Sequence, residues 1–297
     1  MALPSSIPVP SGAARGILLI LAANFCFAFM DATSKTLVVD YSVAQILWVR
    51  FAFFAAFATV WAMARGGLRE GFGSQHPGLQ VMRALILVAE IVCFVFAFRY
   101  MALADTHAIA AVYPLIITAL SALVLREAVG LRRWTAVAVG FLGILVILRP
   151  GFGVFDPVAL LPLAGAALFA VYQIMTKVVA RTDGTVTIML YTGWIGFAAT
   201  SVVGPFQWTA PDAAGWITLF LAGVFGIIGH LLVIKALEAA PASALQPFNY
   251  TLLVWATLVG FLMFGDLPDL WTVAGATIVV GSGIYTWWRE RRRAAEA

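Results

Sequence analysis

The sequence predicts an all-α integral membrane protein with ten transmembrane helices, arranged as two inverted repeats of five helices each. Three observations support this prediction: an apolar composition, ten apolar segments, and an internal echo of the first helix. Of the 297 residues, 63% are hydrophobic and 11% are charged, whereas soluble domains average ~45–50% and ~25%. A chain of this composition is expected to lie in a lipid bilayer.

The internal echo joins residues 27–35 to residues 169–177. Unchanged pairs are Phe27 with Phe169, Ala28 with Ala170 and Lys35 with Lys177, and Asp31 is replaced by Gln173. The offset is 169 − 27 = 142 residues, about half the chain. A second echo, at an offset of 236 − 97 = 139, relates Ala97 to Ala236 and Glu127 to Asp266. An internal repeat of this length indicates two related halves.

The apolar segments are long enough to cross a bilayer as helices, which takes ~20 residues. The ten predicted spans are 16–36, 44–63, 80–101, 106–125, 133–149, 157–178, 186–204, 215–237, 243–264 and 270–288. We expect residues 1–15 to form a short disordered lead, and the connections are too short to hold a soluble domain. We therefore expect a first repeat over residues 1–150 and a second, with a basic C-terminal tail, over 151–297.

The first span has an apolar part that resembles the ~7–15-residue core of a signal peptide. Cleavage there would remove the partner of residues 169–177 and leave nine spans. We therefore interpret it as a membrane helix.

The distribution of Lys and Arg predicts the orientation, since cytoplasmic loops are enriched in both. With the N-terminus inside, fourteen of the eighteen basic residues lie on the cytoplasmic face: Arg15, Arg65, Arg69, Arg83, Arg126, Arg132, Arg133, Lys177, Arg181, Lys235, Arg289, Arg291, Arg292 and Arg293. Three, Lys35, Arg99 and Arg149, lie on the opposite face, and Arg50 lies within a span. We predict cytoplasmic termini and a location in the inner (plasma) membrane.

Each half contains five predicted spans. Five is odd, so the second half enters the membrane in the opposite sense to the first. Inverted repeats recur in secondary transporters, which hold the substrate near the midplane between the halves and expose it alternately to each side.

Several motifs occur in both halves. The first half contains Ala97-Phe-Arg-Tyr, Leu125-Arg-Glu-Ala and Arg149-Pro-Gly, and the second contains Lys235-Ala-Leu-Glu and Phe264-Gly-Asp. With them the chain resembles EamA-type members of the drug/metabolite transporter superfamily over about residues 16–289. The resemblance implies a ten-helix carrier of amino acids, drugs, sugars or nucleotide conjugates, and the sequence is similar to the aromatic amino-acid exporter branch. Arg126-Glu127 stands where many members have Gly-Glu.

Ionisable groups inside a bilayer cost roughly 2.5–3.5 kcal/mol each on insertion scales, so each requires a partner or a wet cavity. Asp31 and Lys35, four residues apart, could pair on one helix face or act in gating near the outer mouth. Their counterparts Gln173 and Lys177 are the matching gating candidates. Arg50 could snorkel or neutralise Asp31.

Glu90 and His230 occupy nearly equivalent positions in the two halves, because 90 + 139 = 229. Both lie about mid-span, where equivalent helices approach each other. We therefore expect a carboxylate and an imidazole to face one cavity and share a proton near neutral pH, which would suit proton-linked gating. The alternative is a static hydrogen-bonded pair, or two unrelated groups.

Other polar and aromatic side chains extend the predicted substrate site. They are Tyr113, Gln246, Asn249 and Tyr250 on the fourth and ninth spans, and the deeper aromatic residues Trp48, Tyr172 and Trp255. A bound solute could use them, and an apolar cavity lined by Trp48, Tyr172, Tyr250 and Trp255 would favour flat or bulky solutes. The alternatives are hydrogen bonds between helices and ordinary packing.

These observations predict a transporter of small organic solutes that works by alternating access and most plausibly exports aromatic or hydrophobic amino acids and related metabolites. Export of drugs or other metabolites is the alternative. Neither catalytic residues nor metal ligands are recognisable, so we expect no enzyme and no cofactor. A channel would need a charged or carbonyl ring. The partners are the solute and the lipid bilayer, with no nucleic acid, and the sequence leaves open a monomer or a homodimer.

Overall fold

The computed structural model describes residues 11–125, 131–148 and 156–296, and within them the chain is helical with no strand. The first half contains α1 (Ser11–Leu37), α2 (Val43–Met63), α3 (Leu68–Gly71), α4 (Pro77–Tyr100), α5 (Leu103–Ala110), α6 (Tyr113–Val124) and α7 (Leu131–Leu148). The second contains α8 (Leu160–Val179), α9 (Thr185–Ser201), α10 (Ala213–Ala239), α11 (Ala242–Asn249), α12 (Thr251–Phe264) and α13 (Leu270–Glu296).

Each of the ten predicted spans coincides with one of these helices or with two consecutive ones. Among the described residues, seven segments are long and apolar enough to cross a membrane. Shorter apolar stretches lie at Ala138–Leu148 in α7 and Leu270–Ser282 in α13. The chain is therefore a multi-pass membrane protein, while the count of ten crossings remains a prediction. The predicted boundary between the halves, at residues 150 and 151, lies outside the described residues.

Two of the predicted spans are broken in the middle. The fourth divides at Ala111 and Val112, just before Pro114, and the ninth divides at Tyr250, just after Pro247. Proline lacks a backbone N–H and so interrupts the hydrogen bonds of a helix. At the second break the Asn24 amide of α1 donates to the carbonyl of Phe248 at 3.0 Å. A neighbouring helix thus satisfies a backbone group that the break sets free.

The centre of the molecule is the packing of α1 on α10. Gly229 allows these helices to approach closely, because a Cβ atom there would lie 2.6 Å from the ring of Phe27. Around this pair α4 packs on α8 and α2 packs on α9, while α7 and α13 form a pair of their own. Helices of the first half therefore contact helices of the second throughout.

The two equivalent lysines make equivalent contacts. Lys35 Nζ donates to the carbonyl of Met101, which follows α4, at 2.9 Å. Lys177 Nζ donates to the carbonyl of Ala240, which follows α10, at 2.8 Å, and to the carbonyl of Leu237. Met101 and Ala240 are 240 − 101 = 139 residues apart, the offset of the second sequence echo. A cation at the C-terminal end of a helix is stabilising, and each lysine stabilises the same element of its own half.

Candidate functional site

A small cavity lies where α1, α4 and α5 meet α8, α10 and α12. Its lining combines two carboxylates, two imidazoles and a majority of aromatic and aliphatic side chains: Phe27, Met30, Asp31, Glu90, Ile91, Phe94, Val95, His107, Ala110, Tyr113, Phe169, His230 and Leu252. The cavity leaves about 40 Å³ for the centres of water molecules. One water needs ~10–15 Å³ measured in this way, so the space accommodates a few waters.

Asp31 pairs with a residue that the sequence interpretation missed. Its Oδ2 lies 3.1 Å from Nε2 of His107, although the oxygen is off the direction of a ring N–H hydrogen bond. The expected pair of Asp31 with Lys35 does not form, because Lys35 bonds to Asp266 instead. His107 is the second residue of the predicted fourth span, 106–125, and it lies within α5 and is buried.

Glu90 and His230 both line the cavity, from α4 and α10. Glu90 is 8% exposed and makes no hydrogen bond or ion pair with any described residue. Both ring nitrogens of His230 are buried without a hydrogen-bond partner in the described part of the chain. The His230 ring lies among aromatic rings, 5.1 Å from Phe27 and 5.9 Å from Tyr172. Because neither group is paired, both are available to a solute or a proton.

Arg50 is a cation whose charge acts on both carboxylates, and it is not itself part of the cavity lining. It is buried, and its guanidinium donates to Ser34 Oγ at 3.3 Å and contacts Met30 Sδ at 2.8 Å. It forms no ion pair with any described residue, although its charge acts on Asp31 and Glu90. Arg50 therefore offsets the acidic charge at a distance and leaves both carboxylates facing the cavity.

Aromatic rings form the walls between these polar groups. The edge of Phe169 faces Tyr113 at 5.1 Å and Phe27 at 6.3 Å, and Phe94 stacks on His107 at 5.8 Å. The sequence echo that pairs Phe27 with Phe169 could have identified these two residues, yet they were not among the predicted site residues. The two equivalent phenylalanines meet across the cavity.

Two of the predicted tryptophans lie elsewhere. Trp48 donates to Ser201 at 2.9 Å and stacks on Phe197. Trp255 contacts Phe25, which is 39% exposed, on the outer surface of α1 and α12. The prediction of one cavity lined by Trp48, Tyr172, Tyr250 and Trp255 is therefore wrong, because the indole of Trp48 packs between α2 and α9 and that of Trp255 lies at the outer surface, neither of them on the cavity lining.

Gln246 and Asn249 of the ninth span, which were predicted to belong to the substrate site, do not line the cavity. The amide of Asn249 donates to Gln246 at 2.8 Å, and that of Gln246 donates to the carbonyl of Ala242 at 2.6 Å. These two residues satisfy each other and their own helix. Tyr250 lies at the break between α11 and α12, and its hydroxyl is buried without a partner among the described residues, like that of Tyr113.

The two lysines among the gating candidates lie at the C-terminal ends of their helices, Lys35 in α1 and Lys177 in α8. Lys35 joins the halves through its 2.9 Å ion pair with Asp266, and it also lies 5.1 Å from the ring of Phe264. Lys177 binds the end of α10. Gln173 is buried, and neither atom of its amide has a hydrogen-bond partner in the described part of the chain. A one-turn spacing places Lys35 above Asp31, at one end of the cavity.

At the other end of the molecule, Asp183 joins the loop after α8 to the start of α4. It accepts hydrogen bonds from the side chain of Ser74, from the Gln75 amide at 3.1 Å and from Gln80 at 2.8 Å. Burial alone would raise the pKa of this carboxyl, but the hydrogen bonds outweigh burial and hold the pKa below its ordinary value. The ionised carboxylate thus ties the first half to the second.

Comparison of the whole chain with known proteins relates it to transporters. The chain is 27% identical to a riboflavin transporter of Vibrio cholerae, over 95% of this chain and 96% of that protein. It is 23% identical to an S-adenosylmethionine uptake transporter of Rickettsia prowazekii, over 94% of each chain. It is 24% identical to a pseudopaline exporter of Pseudomonas aeruginosa, over 89% and 93%.

These relatives are membrane transporters of small solutes and not enzymes, as the sequence predicted. The family model matches the two halves separately, over residues 14–149 and 157–287. The chain therefore belongs to the EamA-like transporter family.

Proposed function

We propose that this protein is a secondary transporter in which two inverted five-helix repeats expose a central cavity alternately to the two sides of the plasma membrane. The separate family matches of the two halves and the equivalent contacts of Lys35 and Lys177 support this proposal. Broken helices beside a buried site are a common feature of such carriers, and α5/α6 and α11/α12 are both broken.

The proposed orientation has both termini in the cytoplasm. It predicts that single cysteines at the exposed positions Asp40 and Ala210 react with an impermeant thiol reagent added outside intact cells. Cysteines at His76 and Gly184 should react only after permeabilisation. The reverse pattern would contradict the orientation.

The substrate that we propose first is a solute with a flat ring system, with riboflavin as the leading candidate. The observation that carries this choice is the wall of Phe27, Phe169 and Tyr113 beside the unpaired Glu90 and His230. Such rings offer offset or edge contacts to a ring ligand, and the few polar groups would fix its orientation. A relative aligned over almost its whole length carries the name of a riboflavin transporter.

The present conformation is closed around its cavity. A space for a few waters is too small for a ring-bearing metabolite, since ligand pockets span ~300–1,000 Å³. We infer that α1 and α10 separate from α4 and α8 on one side to admit the solute. The cavity would then represent an occluded step of the cycle.

Export of aromatic amino acids is the second candidate. This candidate is supported by the unpaired carboxylate of Glu90 and by the aromatic wall of the cavity. The carboxylate could bind the ammonium group of the amino acid, while the rings of Phe27 and Phe169 contact its side chain. Drugs and other amphipathic metabolites fit the same description. A solute without a ring, such as a sugar phosphate, fits neither candidate.

For coupling, we propose that Glu90 and His230 hold a proton in part of the transport cycle. This proposal is supported by the position of the two residues, which are buried, unpaired among the described residues and on the lining of the same cavity. A carboxylate and an imidazole in one buried site can share a proton near neutral pH.

Uptake and release assays in cells that lack their own carriers test the substrate proposal. Expression of the chain should increase uptake of labelled riboflavin, and an excess of unlabelled riboflavin should abolish the increase. Release of labelled phenylalanine from preloaded cells tests the second candidate. Equal competition by a sugar phosphate and by riboflavin would contradict an aromatic site.

A further inference from the structure

A second set of buried polar side chains lies next to the cavity, between α4, α8 and α10. We define the inner cluster as Arg83, Tyr172, Thr176 and His230. The guanidinium carbon of Arg83 lies 5.3 Å from the ring of Tyr172, whose ring centroid is 5.9 Å from that of His230. Thr176 follows Tyr172 by one turn of α8. None of the four residues is more than 4% exposed.

The inner cluster is rich in unsatisfied hydrogen-bonding atoms. Arg83 Nη1, the Tyr172 hydroxyl, Thr176 Oγ1 and both nitrogens of His230 lack a partner among the described residues. The Tyr172 hydroxyl lies close to the side chains of Arg83 and Thr176 and interacts with both, at a geometry outside the limits of a regular hydrogen bond. More than nine in ten buried polar groups in proteins are paired, so a cluster of unpaired ones requires an explanation.

Arg83 gives the cluster a positive charge that no described anion neutralises directly. Its guanidinium donates to Gln80 Oε1 at 3.0 Å, the carbonyl of Ile188 at 2.9 Å and Thr192 Oγ1 at 2.8 Å, all of them neutral acceptors. The carboxylate of Asp183 is held by Gln80 instead. Arginine stays protonated in proteins, and its planar fork suits carboxylate and phosphate.

The equivalence of the halves relates the inner cluster to the cavity. His230 is next to the position equivalent to Glu90, and Tyr172 is next to Gln173, the equivalent of Asp31. The residues equivalent to Glu90 and Asp31 are thus sequence neighbours of inner-cluster residues, and His230 belongs both to the cluster and to the cavity lining. In an inverted-repeat carrier, the half that is closed on one side opens when the other closes.

We propose that the inner cluster is a second solute-binding subsite that opens toward the cytoplasm and binds a carboxylate or phosphate group of an aromatic solute. Of the two candidate substrates, an aromatic amino acid carries such a group, whereas riboflavin does not. The subsite rests on the alternating access described under the proposed function. The acidic residues face the cavity and the unpaired cation faces the subsite, so the two sites differ in the charge that they favour. The unpaired atoms of the inner cluster would find their partners in the solute or in water after opening.

Cysteine accessibility tests whether this region opens. In a background with Cys26→Ser and Cys93→Ser, the Thr176→Cys variant in inside-out vesicles should react with an impermeant thiol reagent. The matched control is Ile174→Cys, which is equally buried but two residues away and thus on the opposite side of α8. We expect reaction at position 176 and none at 174. Absence of reaction at both positions, or equal reaction, would overturn the subsite.

Protection from that reagent tests the charge preference and needs no knowledge of the natural solute. Benzoate and phenyl phosphate should slow the labelling of Thr176→Cys about tenfold, the effect of one charged hydrogen bond, whereas benzylamine and benzyl alcohol should not. Protection by benzylamine equal to that by benzoate would overturn the assignment of an anionic ligand.

Three further substitutions, at two of the named residues, connect the protection to the inner cluster. Arg83→Gln should abolish protection by the anions, and Arg83→Lys should keep part of it. Arg83 also supports α9, so Tyr172→Phe provides the second variant: its hydroxyl makes no regular hydrogen bond with a described residue, and its loss should weaken protection without loss of folded protein. Unchanged protection in Tyr172→Phe and in both Arg83 variants would overturn the proposal. Failure of riboflavin transport would leave these outcomes unaffected.

Discussion

Lys35 Nζ lies 2.9 Å from Asp266 Oδ2, and this ion pair joins the end of α1 in the first half to the segment that follows α12 in the second. The side chains are 16% and 31% exposed, so the pair stabilises the fold by about 1 kcal/mol or less. A difference of that size is small for folding but shifts an equilibrium between two conformations several-fold. The pair is therefore suited to a gate.

We predict that Lys35→Gln and Asp266→Asn each change the rate of solute transport several-fold while the thermal midpoint of unfolding changes by only a few degrees. The effects of the two substitutions should not add, because either one breaks the pair. A double-mutant cycle on initial transport rates measures this coupling. The control is Lys235→Gln, which breaks the exposed Lys235–Glu238 pair. Additive effects would show that the ion pair is not a gate.

The cavity walls give a second prediction, about substrate affinity. Phe169→Leu removes the ring that faces both Phe27 and Tyr113, and it should weaken riboflavin binding by about 0.5–1.5 kcal/mol, the value of an aromatic pair. Trp255→Leu, at the outer surface, should leave the affinity unchanged. Quenching of flavin fluorescence on titration of the purified protein measures both. Equal losses in the two variants would place the site elsewhere.

The sequence predicted the helices well because each apolar run is long and the two halves echo each other. Glu90 and His230, which the repeat offset relates, both line one cavity, and their role in binding or coupling remains a prediction. His107 was missed because its predicted span begins one residue before it, so it was assigned to a helix end. Arg83 was counted as a cytoplasmic charge, yet it is fully buried.

Pairings between distant residues could not be predicted from one sequence. Nothing in the local pattern relates Lys35 to Asp266, 231 residues away, and the spacing of four residues instead favoured a pair with Asp31. Trp48 and Trp255 lie at depths that fit a cavity, but the rotation of each helix about its axis decides which side a ring faces. That rotation is set by tertiary packing.

A third prediction concerns the pH dependence of transport. Glu90→Gln and His230→Gln each remove one of the two unpaired titratable groups in the cavity, whose titratable and charged neighbours are Asp31, His107, Arg50 and Arg83. Each variant should flatten the profile of initial rate against pH between about pH 5 and 8. Rates are measured in vesicles after folding is checked by gel filtration. Wild-type profiles in both variants would contradict a role in proton coupling.

A fourth prediction concerns Asp183 and stability. Its pKa is lower in the folded protein than the ordinary value, so it contributes stability above ~pH 4 that is lost as the pH falls toward the folded pKa. Asp183→Asn should lower the free energy of unfolding at pH 7 by about 2 kcal/mol. The variant should lose less stability than the wild type between pH 5 and pH 3. Thermal unfolding in detergent measures both, with the exposed Asp40→Asn as control, and a parallel acid response of all three proteins would contradict the assignment.

Counterflow in proteoliposomes tests the central claim, that a central cavity is exposed alternately to the two sides. Purified protein is reconstituted into liposomes loaded with unlabelled riboflavin, and entry of labelled riboflavin is followed from the outside, with phenylalanine tested in parallel. We expect saturable entry of at least one solute, faster into loaded than into empty liposomes. Entry proportional to concentration and indifferent to the internal solute would indicate a channel and would contradict the account.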